Sequence, residues 1–95
     1  MSKSIVEKNG AAECFVCGWT RDLETHHIFY GNPNRKKSEH YGLKVHLCAR
    51  HHRSGKGVHG GNREMDLKLK QLGQKLFEEK YNHEKFMEEF GKNWL

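Results

Sequence analysis

The amino-acid sequence predicts a small α+β domain whose first part is held together by a structural metal ion and whose last part is helical. The chain has 95 residues, of which 35% are hydrophobic, and so little apolar material seldom stabilises a domain alone. All three cysteines and seven of the eight histidines lie in residues 14–61, whereas residues 62–95 carry apolar side chains at helical spacing. We therefore expect a single domain, 1–95, made of a zinc-held core, 14–61, and a C-terminal helical extension, 62–95.

Short apolar runs and turn residues divide the core into strands. Residues 23–29 and 43–47 are the two predicted strands, and Gly31-Asn-Pro-Asn34 is a strong turn signal between them. A short helix is predicted at 48–53. The glycines that end this helix are Gly55, Gly57, Gly60 and Gly61. Residues 1–13 have no periodicity, so we expect a loosely packed lead-in.

Two helices are predicted in the extension. The first begins after Asn62, a favourable N-cap, and carries an apolar stripe. The members of the stripe are Met65, Leu69, Leu72 and Leu76. The second helix follows Asn82 and ends at Gly91, because glycine readily adopts the left-handed conformation of helix C-termini. We expect both apolar faces to pack on the small core.

The formal net charge is +5, and all of the excess lies in the first 61 residues. Residues 1–61 contain ten Lys/Arg against five Asp/Glu, whereas residues 62–95 contain seven of each. Within residues 35–56 seven basic side chains accompany a single acid, Glu39. Such a field attracts polyanions, so nucleic acid is the first candidate partner, although a merely solvated surface would have the same composition.

The cysteine count and the lack of long apolar stretches indicate a reducing environment. Three cysteines cannot all pair within one chain, and neither an N-terminal apolar segment nor a membrane-spanning run occurs in the sequence. We therefore expect a cytoplasmic protein without a membrane partner, whose cysteines bind a metal rather than form disulfides.

Two short ligand pairs predict a structural zinc site. Cys14-Phe-Val-Cys17 and Cys48-Ala-Arg-His51 each place two soft ligands on one tight turn, and together they would complete a tetrahedral site. A redox-active or incidental Cys-x-x-Cys is the alternative, but it would not explain the second pair. A site with four protein ligands is closed, so it would stabilise structure rather than hydrolyse a substrate.

Four further histidines predict a second, open site. His26 and His27 are adjacent, so on a regular strand their side chains point to opposite faces. His52 directly follows a predicted zinc ligand, and His59 is seven residues further on. Imidazoles of His26, His52 and His59 could hold a divalent ion and leave positions for water and phosphate, with His27 uncoordinated. The remaining histidines, which we interpret as ordinary polar residues, are His40, His46 and His83.

An open metal site beside an uncoordinated histidine suits the hydrolysis of a phosphodiester. The reaction needs a base that activates water and a cation that offsets charge on the phosphate and the leaving oxygen. Histidine suits the base because its ordinary pKa of about 6.5 leaves it mostly neutral at physiological pH. Three imidazoles favour Mn²⁺, Ni²⁺, Zn²⁺ or Co²⁺ over Mg²⁺, which prefers oxygen ligands.

The sequence resembles the HNH nucleases that carry a zinc knuckle, including small phage and prophage proteins. The resemblance covers residues 14–61 and rests on Glu24-Thr-His-His-Ile28, a basic loop, Leu47-Cys-Ala-Arg-His-His52 and Val58-His59. It implies a ββα-metal (His-Me finger) fold followed by extra helices. It also implies that His26, His52 and His59 hold the catalytic ion and that His27 is the general base.

The sequence departs from that family at one position. HNH nucleases usually carry an asparagine shortly before the second knuckle, where it braces the loop that bears the base, and Leu43 stands near that place here. Residues that could take over its role are Asn32, Asn34, Ser38, His40 and His46.

The leading hypothesis is a metal-dependent DNA endonuclease with a structural Zn²⁺. We expect little sequence preference, because no base-reading helix is evident. The residues expected to grip phosphates are Arg35, Lys36, Lys37 and Arg53. The alternative is a non-catalytic zinc module that binds nucleic acid or another protein. A zinc protease is disfavoured because His-Glu-x-x-His does not occur.

Overall fold

A computed structural model describes residues 4–7, 13–54 and 57–95 of the chain. Its elements in chain order are β1 (Glu24–His27), α1 (Asn34–Tyr41), β2 (Lys44–Leu47), α2 (Ala49–His52), α3 (Arg63–Lys80) and α4 (His83–Phe90). The predicted α+β class is confirmed, because the described residues combine a two-stranded antiparallel sheet with helices. Most of the predicted lead-in, together with Gly55 and Lys56, lies outside the described residues. Within the described ranges, no helix is long and apolar enough to cross a membrane.

The two strands form the hairpin on which the candidate site is built. β1 pairs with β2 in a register that sets His26 opposite Val45 and His27 opposite Lys44. His26 and Val45 are buried, whereas His27 is half-buried, as expected for side chains that alternate between the faces of a sheet. Both strands fall inside the predicted ranges, and β1 ends at His27.

The connection between the strands contains a helix, where the sequence predicted a basic loop. α1 ends at Gly42, which has a φ of 72° and donates its N–H to the carbonyls of Glu39 and Ser38. The loop prediction was wrong because α1 has no apolar stripe, Ser38 being its one buried residue. The Ser38 hydroxyl anchors the helix instead, since it accepts from the Phe29 N–H at 3.1 Å and donates to the Phe29 carbonyl at 2.6 Å.

The predicted C-terminal helices are confirmed together with their caps. The Asn62 side chain accepts a hydrogen bond from the Met65 N–H at 3.1 Å, and the Asn82 side chain accepts one from the Lys85 N–H at 2.7 Å. Gly91 ends α4 in the left-handed conformation, with a φ of 70°. Each cap satisfies a backbone group that the helix leaves unpaired.

α3 and α4 pack through an aromatic core against the segment that follows β1. Phe29 lies two residues after the end of β1, and its ring centroid lies 5.4 Å from that of Phe86 and 4.7 Å from that of Phe90. Phe77 of α3 lies 5.5 Å from Phe86, and all four rings are buried. Because packed cores hold side chains in defined positions, the packing of Phe29 against these rings restrains the chain just after β1, the strand that carries His26 and His27.

Residues 4–7 pack against β2, contrary to the loose lead-in that the sequence predicted. The Ile5 N–H bonds to the Gly42 carbonyl at 2.9 Å. Glu7, whose side chain is 3% exposed, accepts a 2.8 Å hydrogen bond from the His46 N–H and lies 2.8 Å from His46 Nδ1. The segment thus supplies hydrogen-bond partners to the edge of β2 that faces away from β1. So short a segment shows no hydrophobic periodicity from which these contacts could be predicted.

Candidate functional site

The four predicted zinc ligands lie together. The sulfurs of Cys14, Cys17 and Cys48 and a ring nitrogen of His51 all lie within 4.8 Å of one another. The Cys17 and Cys48 sulfurs are 3.8 Å apart, and His51 Nδ1 lies 3.3 Å from the Cys48 sulfur. In a tetrahedral site with Zn–S bonds of about 2.3 Å, neighbouring ligand atoms are separated by roughly 3.5–3.8 Å. The donor set and its spacing therefore fit a closed, zinc-type site.

The backbone around the first ligand pair explains how the pair reaches this geometry. Gly18 has a φ of 79° and donates its N–H to the Cys14 carbonyl at 2.8 Å, and the Cys14 N–H bonds to the Trp19 carbonyl at 2.7 Å. Burial raises the pKa of the Cys14 thiol, but the backbone N–H groups around its sulfur outweigh burial and lower that pKa to about 6. The turn therefore favours the thiolate, which is the form that binds zinc.

Three of the four remaining candidate histidines form a second cluster. One ring nitrogen from each of His26, His52 and His59 lies within 4.8 Å of the others. The ring centroids are 4.8–5.2 Å apart. His26 comes from β1, His52 from α2 and His59 from the turn before α3. Three protein ligands leave coordination positions for water or a substrate, which is the pattern of a catalytic rather than a structural site.

His26 lies deepest in this histidine cluster and has no hydrogen-bond partner among the described residues. It is 1% exposed, and both of its ring nitrogens are buried and unpaired in that part of the chain. Leaving a buried polar group unsatisfied costs roughly 1–3 kcal/mol, so such groups are rare. Burial, followed by the nearby imidazoles of His59 and His52, lowers the pKa of His26 to about 3. A neutral imidazole that lacks another partner fits a metal ligand.

The other two members of the histidine cluster are held by specific contacts. Glu24 Oε1 lies 2.8 Å from His52 Nδ1, which leaves Nε2 of that ring for a metal. The His59 N–H bonds to the His52 carbonyl at 2.9 Å, so the turn before α3 lies back along α2. Gly57 permits this close approach, because a Cβ on it would lie 2.6 Å from the backbone carbonyl carbon of His51.

His27 belongs to neither cluster and is held by a carboxylate. Its Nε2 lies 2.9 Å from Oε1 of Glu39, and Oε2 of Glu39 accepts a 2.6 Å hydrogen bond from Lys44. The hydrogen bonds from Lys44 and then His27 lower the pKa of Glu39 to about 2, so the carboxylate stays ionised. When Nε2 of a neutral His27 donates to Glu39, its Nδ1 carries a lone pair that can accept a proton.

His27 and the histidine cluster open onto one cleft of about 400 Å³. Its lining residues are Thr25, His27, Tyr30, Gly31, Arg35, His52 and His59. The cleft therefore brings together the imidazole of His27, the cluster imidazoles of His52 and His59, the phenol of Tyr30 and the guanidinium of Arg35. A phosphate in this cleft would meet a base, a cation and a set of metal ligands together.

The residues predicted to grip phosphates differ in their surroundings. Arg35 lines the cleft and Lys36 is exposed on α1, and neither forms an ion pair within the described part of the chain. Lys37 contacts a carboxylate of α4, at 3.6 Å between its Nζ and the nearer oxygen, and Arg53 binds Glu24 at 2.6 Å. Of the four, Arg35 is therefore the one that combines a free guanidinium with a place in the cleft.

The chain matches no protein-family model, no curated protein and no solved structure. A function is therefore inferred from the two ligand clusters, the cleft and the contacts of His27.

Two carboxylates at the site were not among the predicted residues. Glu24 lies two residues before His26, so the period of a strand places both on one face of β1, and this spacing was a usable signal. Glu39 was conspicuous as the sole acid of the basic stretch. Its contact with His27 was not predictable, because it depends on α1, which the sequence did not reveal.

Ser38, one of the five candidates for the bracing role, contacts the segment that follows His27. Its hydroxyl bonds to both backbone groups of Phe29, two residues after His27. His46, another of the five, contacts Glu7. Ser38 therefore restrains the backbone just beyond His27.

Proposed function

We propose that this protein is a metal-dependent endonuclease of the HNH (ββα-metal) type that hydrolyses phosphodiester bonds in DNA. The observation that carries the proposal is the cleft in which a three-histidine cluster lies beside an imidazole that is not part of it. A purely structural module needs only the closed site of Cys14, Cys17, Cys48 and His51. It would have no use for a second cluster whose deepest member is buried without a partner.

The order of the elements supports the same proposal. In this proposal β1, β2 and α2 would be the three elements of a ββα-metal core, and His26 and His27 lie on the first strand and His52 on the helix. α1 is then an insertion in the hairpin, and α3 and α4 form the extension. Ser38 on the insertion would brace the loop after the base, which is the role that an asparagine has in the family.

His27 is the proposed general base. Because Nε2 is bonded to Glu39, Nδ1 is the nitrogen that would take a proton from the attacking water. The ionised Glu39 would orient the ring and stabilise the imidazolium that forms, as a carboxylate does in a catalytic triad. Lys44 restrains this carboxylate by holding its second oxygen.

His26, His52 and His59 are the proposed ligands of the catalytic ion. A divalent ion held by them would supply Lewis acidity that offsets charge on the phosphate and on the leaving oxygen. Their three imidazoles favour Mn²⁺, Ni²⁺, Zn²⁺ or Co²⁺ over Mg²⁺. Arg35, which lines the same cleft, would bind a phosphate oxygen and so position the strand, without selecting a base sequence.

The test is cleavage of supercoiled plasmid with each of these ions added in turn. We expect nicking or linearisation with at least one ion, and we expect His27→Ala to retain its metal content while cutting roughly 10²-fold more slowly or worse. His83→Ala is the matched control. His83 also bonds a carboxylate, that of Glu78 at 2.7 Å, but it lies on α4 and does not line the cleft.

Absence of cleavage with every ion, or an unchanged rate for His27→Ala, would overturn the proposal. The protein would then be the alternative, a non-catalytic zinc module that binds nucleic acid or protein. Metal content gives a second readout. The nuclease needs two ions per chain, one in the closed zinc-type site and one in the histidine cluster, whereas the module needs only the first.

A further inference from the structure

α2 also borders a second cleft, of about 370 Å³, which the proposed chemistry does not use. Three residues of the closed zinc-type site form part of its lining, which includes Cys17, Cys48 and His51 together with Trp19, Arg21, Asp22 and Arg50. We call it the tryptophan cleft. His51 lines it, whereas the next residue, His52, lines the cleft of the histidine cluster. A strand bound along α2 could therefore pass both clefts.

The Trp19 ring is exposed, yet its backbone is firmly placed. The side chain is 55% exposed, and no ring contact of Trp19 occurs among the described residues. Its carbonyl accepts a hydrogen bond from the Cys14 N–H, and the same turn is tied to β2 by a 2.8 Å bond from the Phe15 N–H to the His46 carbonyl. One exposed aromatic ring is unremarkable by itself. The argument depends on what surrounds this ring.

Two exposed arginines line the same cleft as the Trp19 ring. Neither Arg21 nor Arg50 forms an ion pair within the described residues, although both are exposed and line the tryptophan cleft. Their neighbour Arg53, by contrast, is bound to Glu24. Asp22 is the one carboxylate in the lining, where the two arginines outnumber it. An aromatic face beside free guanidinium groups matches the way proteins bind unpaired bases and their phosphates.

We propose that Trp19, Arg21 and Arg50 bind one unpaired nucleotide of the substrate, with its base stacked on the indole and its phosphates against the arginines. This inference rests on the proposed function and specifies the form of the substrate. In an intact duplex both faces of each internal base are covered by neighbouring bases, so an indole cannot stack on them. The preferred substrate is therefore DNA with unpaired bases, as a single strand or at a junction with a duplex.

The first test follows the fluorescence of Trp19. The chain has two tryptophans, so Trp94→Phe leaves Trp19 as the sole tryptophan, whose emission is excited selectively over that of tyrosine, and His27→Ala in the same protein slows cleavage. We expect a short oligothymidylate to quench Trp19 in a saturable way. A dumbbell duplex with the same number of phosphates, whose two ends are closed by non-nucleotide linkers so that it has no unpaired base, should bind without comparable quenching.

The second test measures affinity by fluorescence anisotropy of labelled DNA. Trp19→Ala should bind oligothymidylate about tenfold more weakly and the dumbbell as well as the parent does, since one stacked base is lost. Arg21→Ala and Arg50→Ala should each reduce the salt dependence of oligothymidylate binding. Phe15→Ala is the matched control, because Phe15 is an exposed aromatic residue on the same turn but lines a different cleft.

Zinc content and cleavage separate the alternative explanations. Trp19→Leu keeps an apolar side chain next to the metal site, so the same loss of affinity in this variant with unchanged zinc supports stacking. Unchanged oligothymidylate affinity in Trp19→Leu, or equal quenching by the dumbbell, would overturn the inference. A protein that cuts plasmid but shows no Trp19 quenching keeps the proposed function and loses this inference. A protein that shows the quenching but never cuts keeps this inference and loses the function.

Discussion

Glu39 lies 2.9 Å from Nε2 of His27 and is held on its other oxygen by Lys44, at 2.6 Å. The three residues come from β1, α1 and β2, so the position of one imidazole depends on every part of the hairpin and its insertion. His27 also lines the cleft of the histidine cluster, which is why we propose its imidazole for proton transfer. The contact gives Glu39 a proposed positioning role that can be tested apart from that of His27.

Glu39→Gln keeps the shape of the side chain and removes its charge. We expect plasmid cleavage to slow by roughly 10–100-fold with metal content unchanged, because the imidazolium of His27 loses a stabilising carboxylate. Glu89→Gln is the matched control, since Glu89 also contacts a lysine, Lys37, but its other described side-chain contact is with Tyr41 rather than with His27. Equal losses in the two variants would mean that Glu39 acts only on general stability.

The two clusters of candidate ligands were predictable from the sequence because each depends on short spacings. A pair such as Cys14 and Cys17 sits on one turn, and the two pairs have no other explanation that accounts for both. His52 was tied to the site by its adjacency to His51. The three-histidine cluster then followed from a hairpin that brings β1 next to the second pair.

The contacts that hold these ligands were not predictable from local patterns. α1 carries charged side chains on its outer surface and buries Ser38 rather than an apolar stripe, so its sequence resembles a loop. Glu7 was assigned to a loose lead-in although it satisfies the edge of β2. In both cases a few long-range hydrogen bonds hold the segment in place without a hydrophobic stripe. Such bonds produce no periodic pattern in the sequence from which they could be predicted.

The closed zinc-type site of Cys14, Cys17, Cys48 and His51 should be required for a stable fold. Cys48→Ala removes a buried ligand from a chain with a small core, so we expect loss of one zinc per chain and rapid digestion by a protease under conditions in which the parent resists. The same is expected of Cys14→Ala. Val16→Ala, within the first knuckle but not a ligand, should resist digestion. A Cys48→Ala protein that melts like the parent and keeps its zinc would refute the structural role.

The phosphate-binding residues should differ in importance. Arg35→Ala should weaken DNA binding and lower the slope of the salt dependence by about 1, because Arg35 lines the cleft and its guanidinium forms no ion pair with the described residues. Lys37→Ala should have a smaller effect, since Lys37 already contacts Glu89. Anisotropy titrations at several salt concentrations measure both slopes. Equal slopes for Arg35→Ala and the parent would mean that Arg35 does not contact phosphate.

Gly57 should be essential to the histidine cluster although it is not a ligand. An alanine there would place its Cβ 2.6 Å from the His51 carbonyl carbon, so the backbone must move. Because His59 is held by a backbone bond to His52, we expect Gly57→Ala to lose the second ion and most cleavage. His59→Ala should lose the same ion without lowering the melting temperature as far. Full metal content in Gly57→Ala would contradict this account.

His26→Leu should separate metal binding from packing. The substitution replaces two buried nitrogens, which have no hydrogen-bond partner among the described residues, with apolar atoms of similar bulk. With an ion only in the closed zinc-type site, His26→Leu should therefore have a melting temperature at least as high as that of the parent in the same state. Added Mn²⁺ or Ni²⁺ should raise the melting temperature of the parent by binding its folded state, and should leave that of His26→Leu unchanged. Calorimetry with and without the ion measures both effects. A large fall in the melting temperature of His26→Leu before any ion is added would show that His26 has a structural partner and is not held for a metal.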